Sequence, residues 1–145
     1  MTVLALLRIL LDPTAACRAA AIITGQPELA DELVAISYRE SRHQLVGVHL
    51  ADARWSSYAY RRAVKVGWID PSCPFHQPGP GWATRGILGL FASYSLRYLG
   101  CVPRQLLDVP FVSALAAALK ARDLCKRRGA CDHESRRRFW AGGEA

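Results

Sequence analysis

Between Glu28 and Glu40 the apolar residues Leu29, Leu33 and Ile36, with Val34 and Ala35 beside them, fall three or four positions apart, the spacing that lines one face of an α-helix. Pro27 suits the first turn, where its missing N–H costs nothing, and Glu28, Asp31 and Glu32 favour the positive end of the helix dipole. The pattern predicts a helix with Glu40 near its C-terminal end. Ahead of it, the apolar run from Met1 to Leu11, interrupted at Arg8, predicts an amphipathic first helix. Small and apolar residues from Pro13 to about Ile23 follow, up to a Thr24-Gly-Gln-Pro27 break. Residues 1–20 are expected as a helical N-terminal extension.

Downstream, the first part of the stretch from Trp55 to Trp68 predicts a helix that Gly67 ends. The Pro- and Gly-rich segment from Asp70 to Gly81 must be loop. Ile87 to Leu99 is apolar and long enough to predict a buried helix closed by Gly100. Asp108-Val-Pro110 introduces another helix, from Phe111 to roughly Arg127, with Phe111, Leu115, Leu119 and the alanines as its packing face. No internal repeat and no strand-turn-strand signal is legible, so a mainly α fold is expected.

At 145 residues the chain has the commonest length of a single domain, and 51% hydrophobic against 21% charged residues exclude general disorder. The first apolar run is shorter than the ~20 residues of a membrane helix, so no stable span is expected. A secretory signal places its positive charge before the apolar run, whereas Arg8 lies inside it; Ala15, Ala16 and Cys17 keep a signal or anchor open. The formal charge of +7 gathers at Lys126, Arg127, Arg128, Arg136, Arg137 and Arg138. Such a basic surface favours an anionic partner without choosing among wall polymer, nucleic acid and membrane. It carries no helix-turn-helix, finger or aromatic RNA-binding signature, so no nucleic acid is expected.

Five cysteines leave at least one thiol without a partner in the chain. Cys125 with Cys131 and Cys73 with Cys101 can pair in an oxidising setting, and five reduced thiols are equally compatible. A zinc site would recruit His76 after Cys73 and His133 after Cys131, but the spacings match no standard finger or ribbon. Neither a metal nor a cofactor is expected.

Four segments recur in an informative order: Ala35-Ile-Ser-Tyr-Arg-Glu-Ser-Arg-His43, then Thr84-Arg-Gly-Ile-Leu-Gly-Leu-Phe91, then Asp108-Val-Pro110 before an alanine-rich helix, then Arg138-Phe-Trp-Ala-Gly-Gly143. The series resembles the soluble lytic transglycosylase and goose-type lysozyme group. In that group a helix ends in a catalytic Glu-Ser pair, a Gly-Leu-Met-Gln segment follows, then an Asp-Pro-type helix start, then an aromatic-Asn-Ala-Gly turn. The resemblance covers about residues 20–143 and implies a lysozyme-like helical domain over the whole chain, acting on peptidoglycan glycan strands in the periplasm or cell wall. It implies a catalytic role for Glu40 and a supporting, substrate-side role for Ser41. Gly89, Leu90 and Phe91 would line a sugar groove, with Tyr94 and Trp140 stacking on rings or completing its wall. The sequence departs from the group in three ways. Ala92 stands where the group has glutamine, His49 where it usually has serine, and residues 44–81 are expected as an insertion that would reshape the cleft.

Cleaving a glycosidic bond requires a proton on the departing oxygen while positive charge grows on the sugar ring. A glutamate at the negative end of a helix dipole gains proton affinity if it is also shielded from water, which suits Glu40 to that task. Hydrolysis generally adds a second carboxylate, and Asp52 and Asp70, the only acids of the insertion, are better placed as solvated loop residues. A lytic transglycosylase instead closes the substrate's own 6-hydroxyl onto the ring with one carboxylate as acid and then base. That single-glutamate chemistry is the expectation, followed by lysozyme-type hydrolysis and by a glycan-binding module on the same scaffold. Arg85 is a candidate for peptide-stem carboxylates. Trp82 is the best sugar-facing candidate among Trp55, Trp68 and Trp82. His43, His49, His76 and His133 are expected as surface or hydrogen-bonded residues.

Overall fold

Proline, capping side chains and glycine set the helix borders much as the pattern predicts. Helix α1 (Val3–Leu11) begins where the Thr2 hydroxyl accepts from the Ala5 N–H. Helix α2 (Pro13–Ile23) begins where the Asp12 carboxylate accepts from the Ala15 N–H, with Pro13 in its first turn. A 3₁₀ turn, Pro27–Leu29, leads into α3 (Ala30–Ser41). Helix α4 is Ser57–Lys65, α5 is Pro110–Arg128 and α6 is His133–Arg137. Gly129, left-handed at φ 65°, ends α5 by donating its N–H to the Cys125 carbonyl. The structure, a computed structural model, describes residues 1–41, 57–79, 82, 84–91 and 95–140. The fold is mainly α.

Helix α2 packs against both α3 and α5. Its Ala16, Cys17, Ala20 and Ala21 are fully buried with Leu33 and Ile36 of α3 and with Ala114, Ala117, Ala118 and Ala121 of α5. Small side chains let helix axes approach closely, and this corrects the packing face expected for α5. Its alanines, Ser113 and Leu124 are buried, whereas Phe111, Leu115 and Leu119 are only half-buried at the flanks. Residues 13–20 of the segment expected as an extension, the first turns of α2, thus pack into the core. The amide of Gln26 closes the layer by donating to the Ala118 carbonyl.

The helix expected over Ile87–Leu99 is overturned at residues 87–91. Strands β1 (Thr84–Arg85) and β2 (Leu90–Phe91) pair antiparallel, Thr84 opposite Phe91 and Arg85 opposite Leu90, around a tight turn at residues 86–89. A 3₁₀ turn, Leu96–Tyr98, follows and stops at Gly100. Continuous apolar residues do not distinguish a helix from a buried strand and turn; two glycines with positive φ decide for the turn.

The segment after α4 is turns and bends, as its prolines require. It is held by the Cys73–Cys101 disulfide and by the Tyr60 hydroxyl, which donates to the His76 carbonyl. A second disulfide joins Cys125 to Cys131, and Cys17 is a buried free thiol. Burial, with a contribution from the Asp12 charge, pushes that thiol up to about 12, so it stays protonated and inert. Among the described residues no helix is long and apolar enough to cross a membrane.

Candidate active site

Glu40 occupies the last turn of α3, and the 86–89 turn lies against it. A Cβ on Gly89, whose φ is 57°, would sit 3.4 Å from Glu40 Oε2. On the other side of the turn, a Cβ on Gly86 would come within 2.1 Å of the Leu107 carbonyl oxygen. The turn is therefore packed between the end of α3 and the 3₁₀ segment Arg104–Asp108, with no room for a side chain at Gly86 and, at Gly89, a left-handed φ that side chains rarely adopt. Ser41 fastens the turn: its hydroxyl lies 2.9 Å from the Ser37 carbonyl and 2.8 Å from the Ile87 carbonyl. One hydroxyl proton serves one acceptor at a time, and both acceptors are backbone. Ser41 thus ties the Glu40 helix end to the turn, which is a positioning role.

Arg85 is not free for peptide-stem carboxylates. Its Nη2 and Nε donate to Asp108 at 2.7 and 3.2 Å, with Arg85 nearly fully buried. This bidentate pair braces β1 against the start of α5.

Beside Glu40 is a pocket of about 20 Å³ walled by Leu33 and Ile36 of α3, Leu88 and Gly89 of the turn, Ala117 of α5, and Trp140. A volume of that size admits one water or a group as small. Among the described residues Glu40 is the one acid in its lining. Trp140, 100 positions further along the chain, is buried, and its Nε1 has no hydrogen-bond partner among the described residues. It is brought there by Lys120, buried on α5, whose ammonium donates to the Phe139 carbonyl.

The Glu40 carboxylate is 36% exposed, and Oε1 accepts from Nε and Nη2 of Arg39, each at 3.0 Å. The shielding from water expected of a general acid is therefore incomplete among the described residues. A neighbouring cation was legible as the residue before Glu40; the wall residues Leu33, Leu88 and Ala117 carry no local signal, because only packing makes them neighbours.

Leu90 and Phe91 form β2; their side chains, and Tyr94 as a whole, lie outside the described residues, as do Trp55, His43, His49, Asp52 and Ala92. Trp82 is not sugar-facing. It is buried, donates from Nε1 to the Gln77 carbonyl, meets Tyr60 at a tilt and His76 edge-on, and carries the Arg104 guanidinium over its ring. Trp68 is half-buried beneath Arg97. Asp70 is exposed and turned onto Ser72, whose hydroxyl and N–H hold its carboxyl below the usual range. His76 is buried, its Nδ1 accepting from the Asp70 N–H, and His133 pairs with Glu32. Among the described residues no cluster of His, Cys, Asp or Glu could hold a metal ion, and both cysteines a zinc site would need are in disulfides. Compared with known proteins, the chain matches no protein-family model, no curated protein and no solved structure.

Proposed function

We propose that this protein cleaves peptidoglycan glycan strands as a lytic transglycosylase of the MurNAc-GlcNAc β-1,4 bond, with Glu40 as general acid and then base. The observation that supports this reading is the meeting of Glu40, Gly89 and Trp140 at one pocket. These residues come from three of the four segments on which the family resemblance rests, and nothing in their spacing along the chain obliges them to meet. Glu40 protonates the departing oxygen, then takes the proton of the substrate's 6-hydroxyl as that oxygen closes on the anomeric carbon. Substrate entering over the carboxylate would displace water from it and complete the shielding that the described residues provide in part. Two disulfides fit work in an oxidising compartment such as the periplasm or wall.

Lysozyme-type hydrolysis is the second reading, favoured by the water-sized pocket beside Glu40. Mass spectrometry of products from purified peptidoglycan separates the two. Wild type releasing muropeptides with 1,6-anhydro ends, and Glu40→Gln releasing none, is the expected result. Reducing ends would mean hydrolysis. No release by wild type, where a control enzyme acts, would overturn the enzymatic reading and leave glycan binding on the same scaffold.

A further inference from the structure

Helix α4 divides its residues cleanly. Tyr60 and Ala63 are buried and Val64 is half-buried, which fixes the inner face. Tyr58, Arg61, Arg62 and Lys65 fall at positions i, i+3, i+4 and i+7, a single outer stripe, and all four are exposed. With Val66 they line a groove of about 540 Å³, far larger than the pocket beside Glu40. Among the described residues no acid lines that groove, and from residue 57 to 79 Asp70 is the single acid against these three cations. Asp70 is already occupied with Ser72.

A helix face kept merely soluble mixes charge signs, because like charges four residues apart destabilise the helix. Here Arg61 and Lys65 stand four apart with no acid between them. The helix dipole accommodates Arg62 and Lys65 in the last turn, but it calls neither for a concave surface nor for an exposed tyrosine beside it.

We propose that this outer face of α4 is a second binding surface, which takes a segment of anionic wall polymer, its carboxylates or phosphodiesters seated on Arg61, Arg62 and Lys65 and its carbon skeleton against Tyr58. The polymer's identity rests on the wall-cleaving reading above; the choice of an anionic polymer rests on the charges alone. Such a surface holds the enzyme on its insoluble substrate between cleavage events and acts through charge, so its affinity falls with salt.

The test is co-sedimentation of the full chain carrying Glu40→Gln, which binds without turnover, with purified sacculi over a series of salt concentrations. Sacculi retaining phosphodiester polymers and sacculi stripped of them form two arms. Adding Arg61→Glu, Arg62→Glu and Lys65→Glu should weaken binding by roughly tenfold or more at low salt and flatten its salt dependence. An equal charge change at Lys126→Glu, Arg128→Glu and Arg137→Glu should weaken it by less than about threefold. The corresponding alanine triple on α4, with a melting curve matching the parent, guards against misfolding and should show the same direction. Loss confined to the phosphate-bearing arm identifies phosphodiesters, and loss in both identifies peptide-stem carboxylates.

Equal losses from the two triples would overturn the proposal in favour of bulk charge, and no loss from the α4 triple would overturn it outright. Tighter binding to duplex DNA than to sacculi at the same salt would also overturn it. Cleavage by the wild type is scored separately. Binding through α4 without cleavage refutes the Glu40 reading and leaves this surface standing; cleavage with α4-independent binding does the reverse.

Discussion

The basic end of α5 and the outer face of α4 carry similar charges and use them in opposite ways. At the end of α5, Arg127 donates to Asp123 at 2.9 and 2.7 Å, and the same carboxylate accepts from Arg97 at 3.0 Å and from the Tyr98 hydroxyl at 2.7 Å. Just beyond, Arg136 of α6 donates to both oxygens of Glu32 on α3, at 2.9 and 2.8 Å, with neither side chain more than 8% exposed. Arg97 and Arg136 are braces between elements, and Arg127 is paired within α5 itself. On α4 the three cations face outward along a groove lined by no acid among the described residues. A run of arginines in a sequence therefore does not map directly to charge available for a partner. What matters is whether the fold brings an acid to each one, and part of the C-terminal cluster is consumed internally.

The sharpest way to break that contrast is Glu32→Gln. It leaves the buried Arg136 guanidinium without its counter-charge, and loss of one partner of a buried pair costs about 3–5 kcal/mol. Denaturant unfolding should show a loss of that order; a change within about 1 kcal/mol would mean the pair is solvated like a surface bridge.

Acid provides the next test. The Arg127 hydrogen bonds, with the Tyr98 hydroxyl and the nearby Arg97 charge, hold the Asp123 carboxyl below its ordinary value of 3.8. A lowered folded-state value means the group's stabilisation is fully present above 3.8 and is lost as pH falls through the lower value. Melting temperature followed against pH should fall along an acid limb that Asp123→Asn diminishes. At neutral pH the same substitution should cost about 1–2 kcal/mol, the worth of charge-assisted hydrogen bonds on a partly exposed group. An unchanged acid limb would assign it to other carboxylates.

The smallest effect belongs to α4. Arg61→Ala with Arg62→Ala should change stability by no more than about 0.5 kcal/mol, as surface substitutions do. A larger loss would place these arginines among the braces and erase the contrast.

Much of the helical frame was legible from residues alone. Pro110 opens α5 as expected, and the apolar spacing of Leu29, Leu33 and Ile36 gives the inner face of α3 with Glu40 at its end. These are local matters, since a prolyl φ and a 3.6-residue period act within a few residues. The reading failed where distant parts of the chain decide. Ile87 to Leu99 looks helical in isolation, yet Gly86 must clear the Leu107 carbonyl and both Gly86 and Gly89 turn the backbone through positive φ. Arg85 looks like an exposed loop cation until Asp108 meets it, and Trp82 looks sugar-facing until Tyr60, His76 and Arg104 surround it. The sequence by itself determined the helix borders and placed a carboxylate at a helix end. Only the tertiary structure decided that Trp140 and the 86–89 turn reach that carboxylate, which cations are spent on internal acids, and which face outward. Burial and pairing depend on residues far apart in the chain, and no local pattern encodes them.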